Sequence, residues 1–569
     1  MGVEASSVRD GRSAGSAAEF WLVAGVLLLS ALLVNAAILV LGQVFDSIDL
    51  RTHYRWSYQF AAALAEGTLY PRWMPLANFG LGEPSFVIVH PGYYYVIAGL
   101  KACGLSIWDA MRATAVASSL LLGIAAYWVL RRTASAGWAW VGALALQASP
   151  FAMFLFGFHV ALPWHFSLPL ALLAIGLSLR ERDESVSLML ALTIAGLCMT
   201  HLLVAFMVLV CVGLMKLAGL LWGAGDQGAV RLLGWIGSVS LGIGLAATYV
   251  LLAVTSGPLF SPEYGTDALY LNWRNSFILP VVTSRIFGVR WAVAQWVLPL
   301  VPLASLVVTG LILYRWRDAR DGVWRMASRL AVVGALALVM ASEVAYPLYA
   351  AIPFLTNVQW PYRFLTVASL AGGLALPLAG VIAFRAGGSR GLKLSVIGCF
   401  GLSFALFGAV QMKLVREGVD PQLGAATLVG NVAQRGAEPA AIGPRWRSYI
   451  DSGGFDGYCG REALRCEQVV QEAHRRVWRV TTESGGRVIL PLFAFPAWTL
   501  YLDGARGAGG IDAETGLIVV DLPAGSHEIA VRWTGLWQEQ AGLAISVGAL
   551  ALIIAIRIRR GRGARRAAG

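Results

Sequence analysis

The chain has 569 residues, of which 57% are hydrophobic and only 13% are charged. A water-soluble fold needs more charge to cover its surface, so the composition excludes an ordinary soluble enzyme. The formal net charge is +12, but the arginines cluster at the ends of apolar runs, where the positive-inside rule places them. We therefore expect the lipid bilayer as a partner and no nucleic acid.

About twelve apolar runs have the length that a helix needs to cross roughly 30 Å of hydrocarbon, which predicts an all-α polytopic membrane bundle of about 12 transmembrane helices. Arginine and lysine clusters, such as Arg131 with Arg132 and the tail from Arg557 to Arg566, all lie inside if both termini are cytoplasmic. We predict a multi-pass protein of the cell inner (cytoplasmic) membrane. The predicted spans are residues 20–42, 110–131, 138–156, 164–180, 186–201, 203–221, 230–255, 291–315, 327–345, 363–385, 392–413 and 538–557.

Residues 85–104 are apolar enough to resemble a thirteenth span. Counting them would invert every later helix and place the arginine clusters outside. We therefore predict a re-entrant or juxtamembrane helix here, packed on protein and shielded from lipid.

The predicted organisation has three parts. Residues 1–413 form the transmembrane domain, with a large first outside loop at 43–109, and residues 538–569 form the last transmembrane helix and a basic cytoplasmic tail. Residues 414–537 form a small extracytoplasmic β-rich domain. Its strands are predicted at Val477–Thr482, Arg487–Leu492, Thr499–Asp503, Leu517–Leu522 and His527–Trp533, with turn signals between them, which is typical of a β-sandwich.

Two cysteines, Cys459 and Cys466, lie close together in the polar C-terminal region. They form a disulfide if the region is extracytoplasmic, or they are two free thiols. The spacing does not decide between these alternatives.

The first outside loop carries candidate acid–base residues. Asp46 and Asp49 follow the first span closely. A carboxylate near the low-dielectric membrane surface can serve as a general base. The structural alternative is an interfacial aspartate that caps the helix predicted from Leu50 to Ala65.

Other charged or titratable residues lie at the predicted outer face. Arg363 begins an otherwise apolar helix there, where it holds a phosphate or snorkels to lipid headgroups. His201 lies in an apolar segment and is either functional or a hydrogen-bonded structural residue. The remaining histidines, including His90, are scattered without the spacing of a zinc site, so we predict no metal and no cofactor.

Several motifs together carry a family resemblance. The first loop contains Asp49-x3-His53, Gly67-x-x-Tyr70-Pro71-Arg72-Trp73, Asn78-x-Gly80-x-Gly82-x-Pro84 and His90-Pro91-x-x-Tyr94-Tyr95. A later loop runs from Ile352-Pro353 through Gln359 to Arg363-Phe364-Leu365. These stretches resemble bacterial membrane proteins described as 6-pyruvoyl-tetrahydropterin synthase-related. Phe495-Pro496-x-Trp498, Tyr501-x-Asp503-Gly504 and Leu522-Pro523-Ala524-Gly525-x-His527 are similar to the C-terminal domain of YfhO-type membrane proteins.

The resemblance implies the GT-C class of membrane glycosyltransferases rather than pterin chemistry. Such an enzyme would take a sugar from a polyprenyl-phosphate-linked donor to an envelope glycan or lipid acceptor at the outer face of the membrane. By position, the catalytic acidic residue is Asp49, with Asp46 as second choice. The residues then expected to bind substrate are His53, Arg72, Trp73, Asn78, His90, His201, Gln359, Tyr362 and Arg363.

One departure from the class concerns the second outside loop. Oligosaccharyltransferases of this class hold a metal there through an acidic pair, whereas Leu155 to His165 contains no carboxylate. The implied route is therefore metal-independent, with Arg72 or Arg363 holding the lipid phosphate. Two alternatives stay open: a lipid or polysaccharide transporter, and a non-catalytic envelope-assembly protein.

Overall fold

The computed structural model describes residues 17–41, 48–157, 162–180, 186–221, 225–260, 273–281, 293–318, 320–417 and 465–568. Most of these residues are helical. The α-helices are α1 (Ala17–Val34), α2 (Ala36–Leu41), α3 (Ile48–Ala65), α4 (Ser85–Ile88), α5 (Gly92–Ala102), α6 (Ile107–Leu130), α7 (Ala136–Gln147), α8 (Pro150–Gly157), α9 (Leu162–Ser178), α10 (Leu188–Thr200), α11 (Leu202–Leu221), α12 (Gly225–Leu245), α13 (Ala247–Thr255), α14 (Leu300–Arg315), α15 (Gly322–Ala341), α16 (Tyr346–Ala351), α17 (Leu365–Arg385), α18 (Arg390–Glu417) and α19 (Trp537–Ala568).

The apolar helices coincide with the predicted spans. Three shorter ones, Phe20–Val34, Leu162–Ser178 and Leu188–Thr200, lie where three spans were predicted. The prediction of a polytopic α-helical bundle is thus confirmed. In the described ranges, nine helical stretches are long and apolar enough to cross a membrane: Ile107–Leu130, Ala136–Leu155, Leu202–Leu221, Gly228–Leu245, Val293–Arg315, Gly322–Ala341, Pro361–Arg385, Arg390–Met412 and Trp537–Ile558.

Helix α17 lies at the centre of the bundle. In an apolar 18-residue segment of Pro361–Arg385, 83% of the residues are buried, against 11% in the corresponding segment of Trp537–Ile558. Glycines allow α7 and α17 to approach closely. A Cβ on Gly142 would lie 2.8 Å from Pro377, and one on Gly380 would lie 2.4 Å from the ring of Trp138. Close backbone approach of this kind is how membrane helices gain packing energy without a hydrophobic driving force.

The segment 85–104 does not form a span. It is divided into α4 and α5, and α5 has only 11 residues, about 16 Å of helix. That length is too short to cross the bilayer. The prediction of a helix packed on protein is confirmed, because Tyr93, Tyr94 and Ile97 are fully buried.

The C-terminal region is a two-sheet β-sandwich. One sheet has the order β1-β2-β8-β4-β5 and the other β3-β7-β6, and the residues between the sheets form one apolar core. The five predicted strands lie within two residues of observed strands, whereas β1, β5 and β6 were not predicted. The strands are β1 (Arg465–Gln471), β2 (Arg475–Thr482), β3 (Gly486–Phe493), β4 (Trp498–Leu502), β5 (Ala505–Arg506), β6 (Gly510–Ile511), β7 (Leu517–Leu522) and β8 (Gly525–Trp533).

The structure defines the oxidation state of one of the two cysteines of the polar C-terminal region. Cys466, in β1, is disulfide-bonded. Cys459 lies outside the described residues.

The sandwich docks on the first loop through an aromatic cluster. Trp73 is fully buried, and its ring centroid lies 6.0 Å from that of Phe495, 5.3 Å from Trp498 and 6.0 Å from Trp533. The loop therefore shares the apolar core of the sandwich. Trp73 thus packs between the loop and the sandwich, and its expected role in substrate binding stays a prediction.

A buried arginine of the sandwich completes the docking. Arg476 donates hydrogen bonds to the backbone carbonyls of Pro75, at 2.9 Å, and Gly80, at 3.3 Å. Burial lowers the pKa of Arg476 to about 9, while the carboxylate of Glu66 opposes this shift. The same carboxylate accepts the backbone N–H of Ala473 at 3.1 Å. The loop and the sandwich are therefore one packed unit.

We expect the substitution Arg476→Ala to destabilise the docked sandwich by about 3 kcal/mol, because two buried carbonyls lose a charged donor. Limited proteolysis of the loop at 67–84 and thermal unfolding in detergent measure this loss. The matched control is Arg479→Ala, since Arg479 is exposed in the same strand. Equal protection of the two variants would show that Arg476 does not hold the loop.

Candidate functional site

The first site residue is Asp49, in the first turn of α3. Its side chain is half-buried, and among the described residues it has no hydrogen-bond partner. Burial raises the pKa of Asp49 to about 6, because it disfavours the charged carboxylate more than the nearby guanidinium of Arg363 stabilises it. The described part of α3 begins at Ile48, so Asp49 lies in its first turn, and its two expected roles, general base and helix cap, both stay predictions. Asp46 lies outside the described residues.

The second element is Arg363, which immediately precedes α17. Its side chain is 8% exposed and packs against two indoles, 4.1 Å from the ring centroid of Trp360 and 5.5 Å from that of Trp164. One terminal nitrogen donates to the carbonyl of Val358 at 2.7 Å. Its Nε lies buried without a hydrogen-bond partner in the described parts of the chain. Arg363 therefore keeps an unused donor in a dry surrounding, as an anion site requires.

The loop before Arg363 is strained. Gln359 has φ 61° and ψ −48°, and the N–H of Trp360 donates to the carbonyl of Val358 at 2.6 Å. This is the rare type of γ-turn, in which the central residue has a positive φ. Its result is that the Gln359 Oε1 faces Arg363 at 3.3 Å, and strained backbone of this kind concentrates at functional sites.

Three histidines, His53, His90 and His201, lie near Asp49 and Arg363. The ring centroids of His90 and His201 are 4.7 Å apart, and His201 interacts electrostatically with His90, Arg363 and His53. His201 ends α10, at the break before α11, and its Nδ1 accepts the N–H of Val204 at 3.3 Å. His201 thus makes a structural hydrogen bond and also lies beside other polar site residues, so its two expected roles, functional and structural, both stay predictions.

The loop histidines are held in the neutral form. Burial lowers the pKa of His53 and of His90 to about 3. His53 Nδ1 is hydrogen-bonded to the hydroxyl of Tyr94 at 2.7 Å. The Nε2 of His90 is buried without a hydrogen-bond partner among the described residues. Neutral imidazoles can accept or donate hydrogen bonds to a sugar hydroxyl without adding charge.

Two tryptophans of the site were not identified from the sequence. Trp164 begins α9, and its ring lies 5.7 Å from His201 as well as near Arg363. Its Nε1 donates to Thr366 Oγ1 at 3.0 Å. Trp360 stacks on Tyr362, with ring centroids 6.0 Å apart and 7° between the planes. Tyr362 is fully buried. The sequence signal for these tryptophans was their position at the predicted outer ends of spans, where tryptophan is common for other reasons.

Arg72 does not join this cluster in the way the sequence predicted. Its guanidinium donates to the carbonyls of Phe86, at 3.2 Å, and Thr248, at 3.1 Å, and its Nε lies 3.5 Å from the carboxylate of Glu539. It also lies 3.2 Å from the ring centroid of Tyr70. These contacts tie the loop to α13 and α19. The expected role of Arg72 in holding a phosphate stays a prediction beside these structural contacts.

Asn78 also has a structural role. It is fully buried with φ 49°, and its Nδ2 donates to the carbonyl of Gly82 at 3.0 Å. Asparagine tolerates this left-handed conformation better than most residues. At Gly82, with φ +86°, a Cβ would lie 2.1 Å from the Trp73 ring. Asn78 thus closes this turn, and its predicted substrate-binding role stays a prediction.

The resulting cluster comprises Asp49, His53, His90, His201 and Arg363, with Tyr362 and Gln359 beside them. In the described part of the chain, no three acidic, histidine or cysteine side chains are arranged to hold a metal ion. The arrangement offers a carboxylate able to accept a proton near neutral pH, an anion-binding guanidinium and neutral hydrogen-bonding groups. It can therefore assist attack by a hydroxyl on an electrophile whose leaving group is anionic.

Comparisons with known proteins give a remote likeness only. No protein-family model and no curated protein match the chain. The chain is similar to the solved structure of the arabinofuranosyltransferase AftD from Mycobacteria, at 14% identity and a TM-score of 0.44, over 93% of this chain and 40% of that one. A mutant of that enzyme gives 16% identity and a TM-score of 0.38, over 69% of this chain and 28% of that one. This chain thus spans less than half the length of either, and likeness at this level carries no argument about activity. The resemblance to 6-pyruvoyl-tetrahydropterin synthase-related proteins stays a prediction.

Proposed function

We propose that the chain is a GT-C-type membrane glycosyltransferase that moves a sugar from a polyprenyl-phosphate-linked donor to a cell-envelope glycan or lipid. The observation that carries the proposal is the pairing of Asp49, whose pKa is about 6, with Arg363, whose buried Nε is unused among the described residues. A general base and an anion-binding donor lie close enough to interact electrostatically. Transfer from a lipid phosphate needs both groups.

The position of the cluster in the fold supports a lipid-linked donor. Asp49 follows the first apolar helix, His201 ends α10, and Arg363 opens the central helix α17. The cluster thus lies at the ends of membrane-spanning segments, where an insoluble donor can keep its prenyl tail in the bilayer. In the proposed topology both termini are cytoplasmic, and the cluster and the sandwich face the outside. The disulfide at Cys466 agrees with that side.

The proposed reaction is a displacement at the anomeric carbon. The acceptor oxygen forms a bond to this carbon while the bond from the carbon to the phosphate oxygen breaks. Asp49 takes the proton of the acceptor hydroxyl, and Arg363 stabilises the charge that grows on the leaving phosphate. His53 and His90, both neutral, and His201 would orient the sugar hydroxyls.

The first prediction concerns Asp49→Asn. We expect the variant to insert normally and to lose about a hundredfold to ten-thousandfold in sugar transfer, the usual contribution of a general base. The measurement is release of polyprenyl phosphate from a panel of polyprenyl-phosphate-linked sugars in proteoliposomes that contain envelope glycan. Asp109→Asn is the matched control, because Asp109 lies in the first turn of another helix. Unchanged transfer by Asp49→Asn would remove Asp49 from the mechanism, and lipid translocation without transfer would favour a transporter.

The second prediction concerns Arg363→Lys, which keeps the charge but loses the planar fork and its contact with Val358. We expect binding of polyprenyl phosphate to weaken by roughly tenfold or more, since lysine cannot reproduce the bidentate geometry. Quenching of tryptophan fluorescence by added polyprenyl phosphate measures this, because Trp164 and Trp360 flank the guanidinium. Arg385→Lys, at the other end of α17, is the control. Equal binding by both variants would contradict the assignment.

The third prediction is a pH dependence. Asp49 must be deprotonated to act as a base, and its raised pKa is about 6, so transfer should fall as the pH is lowered through about 6. His53 and His90 stay neutral there, because their pKa values are lowered to about 3. The residual transfer activity of His53→Gln should therefore fall over the same pH range. If the fall in activity at low pH disappears in His53→Gln, the titrating group is His53 and not Asp49.

A further inference from the structure

A cavity of about 350 Å³ lies between the two sheets of the sandwich. Its wall includes Leu500 of β4, Ile518 of β7, Val531 of β8, Phe495 and Leu259. The volume falls in the range of small-ligand pockets, which are mainly apolar with a few polar groups. None of these residues belongs to the Asp49 cluster.

The cavity is next to the proposed membrane surface. Leu259 follows the end of α13 at Thr255, and Val531 lies near the end of β8, from which the chain enters α19 at Trp537. Helices α13 and α19 pack together, since the N–H of Thr248 donates to Ser546 Oγ at 3.2 Å. Trp537 is 66% exposed at the start of an apolar stretch, as is typical of an interfacial tryptophan.

The chemistry of the wall distinguishes between ligand classes. Besides the indole of Trp498, its polar side chains are Thr499 and Arg506. Arg506 is exposed at the edge strand β5, and in the described part of the chain its guanidinium has no ion-pair partner. A sugar would need several directed donors and acceptors, which this wall does not supply. An apolar chain with an anionic end matches both the aliphatic wall and the single cation.

We propose that this cavity binds one hydrocarbon chain, acyl or isoprenoid, of an anionic membrane lipid whose headgroup lies beside Arg506. The lipid would hold the sandwich against the bilayer at a site separate from sugar transfer. The inference does not rest on the proposed enzyme activity, so Asp49→Asn should bind the lipid as the unmodified protein does.

Photo-crosslinking of the full-length protein in nanodiscs tests the proposal. The probes are a diazirine-bearing phosphatidylglycerol, a phosphatidylcholine with the same acyl chain, and a diazirine-bearing isoprenyl phosphate. We expect peptides from the cavity wall to be labelled by an anionic probe. Labelling by the phosphatidylglycerol or by the isoprenyl phosphate identifies which chain is bound.

Two pairs of variants separate the cavity from the general surface. At Gly509 a new Cβ lies 3.3 Å from Leu500 Cδ1 and 3.6 Å from Ile518 Cγ2, both in the cavity wall, so Gly509→Phe places a ring in the cavity and should lower wall labelling by roughly tenfold. Ala505→Phe adds the same ring to the exposed strand β5 as a control. Arg506→Gln should weaken labelling by the anionic probes and leave the phosphatidylcholine signal unchanged, whereas Arg479→Gln should change neither.

Three outcomes would overturn the proposal: no label on the wall, labelling that Gly509→Phe leaves unchanged, or labelling abolished by a water-soluble oligosaccharide. If Gly509→Phe does not fold, Ile518→Trp fills the same cavity from β7 and gives the same test.

Discussion

The candidate site depends on an electrostatic interaction between Asp49 and Arg363 that is not a closed ion pair. A carboxylate in direct contact with a guanidinium has a pKa well below its usual value. Here burial dominates and the pKa of Asp49 is raised to about 6. The two charges are therefore near enough to interact, yet each keeps capacity for a third group. A buried cation with an unused donor is costly unless an anion completes it, and this cost is the physical basis of the proposed phosphate site.

The loop that carries Asp49 is held on both sides. In α3, Trp56 Nε1 donates to the buried carboxylate of Glu83 at 2.6 Å, and Ser85 donates to the same oxygen. Phe60 packs against Phe86 with centroids 4.7 Å apart. Below the loop lies the helix bundle, and above it the sandwich covers Trp73. A site on a loop can have defined geometry only when its surroundings fix it in this way.

Much of the fold follows from the sequence, because apolar length and arginine placement are strong local signals. Charge placement decided that residues 85–104 do not span, and α4 and α5 bear this out. The strands missed by the sequence, β1, β5 and β6, are polar or only two residues long, and their pairing depends on neighbours distant in the chain. The intrinsic strand propensity of the residues does not predict such edge strands, because it depends strongly on context.

The site was only partly predictable for a different physical reason. Asp49, His53, His90, His201 and Arg363 combine charge or titratable chemistry with an apolar environment, which is costly without a function or a partner. Arg72, Trp73 and Asn78 are also polar or aromatic residues of the first loop that are buried. In the structure, however, Arg72 contacts backbone carbonyls, Trp73 packs against the sandwich, and Asn78 closes a tight turn. The sequence shows that a buried polar group needs a partner. It does not show whether that partner is the protein itself or a ligand.

The contacts of Arg72 explain why the loop, the sandwich and the last span form one assembly. The apolar stretch of α19 is only 11% buried, so packing alone holds this span weakly to the bundle. Arg72 connects it to the loop through Glu539 and to α13 through the carbonyl of Thr248. Gly542 adds close contact, because a Cβ there would lie 2.5 Å from the carbonyl of Ala247. Arg72 thus ties the loop to α13 and to the start of α19, the helix that follows the sandwich in the chain.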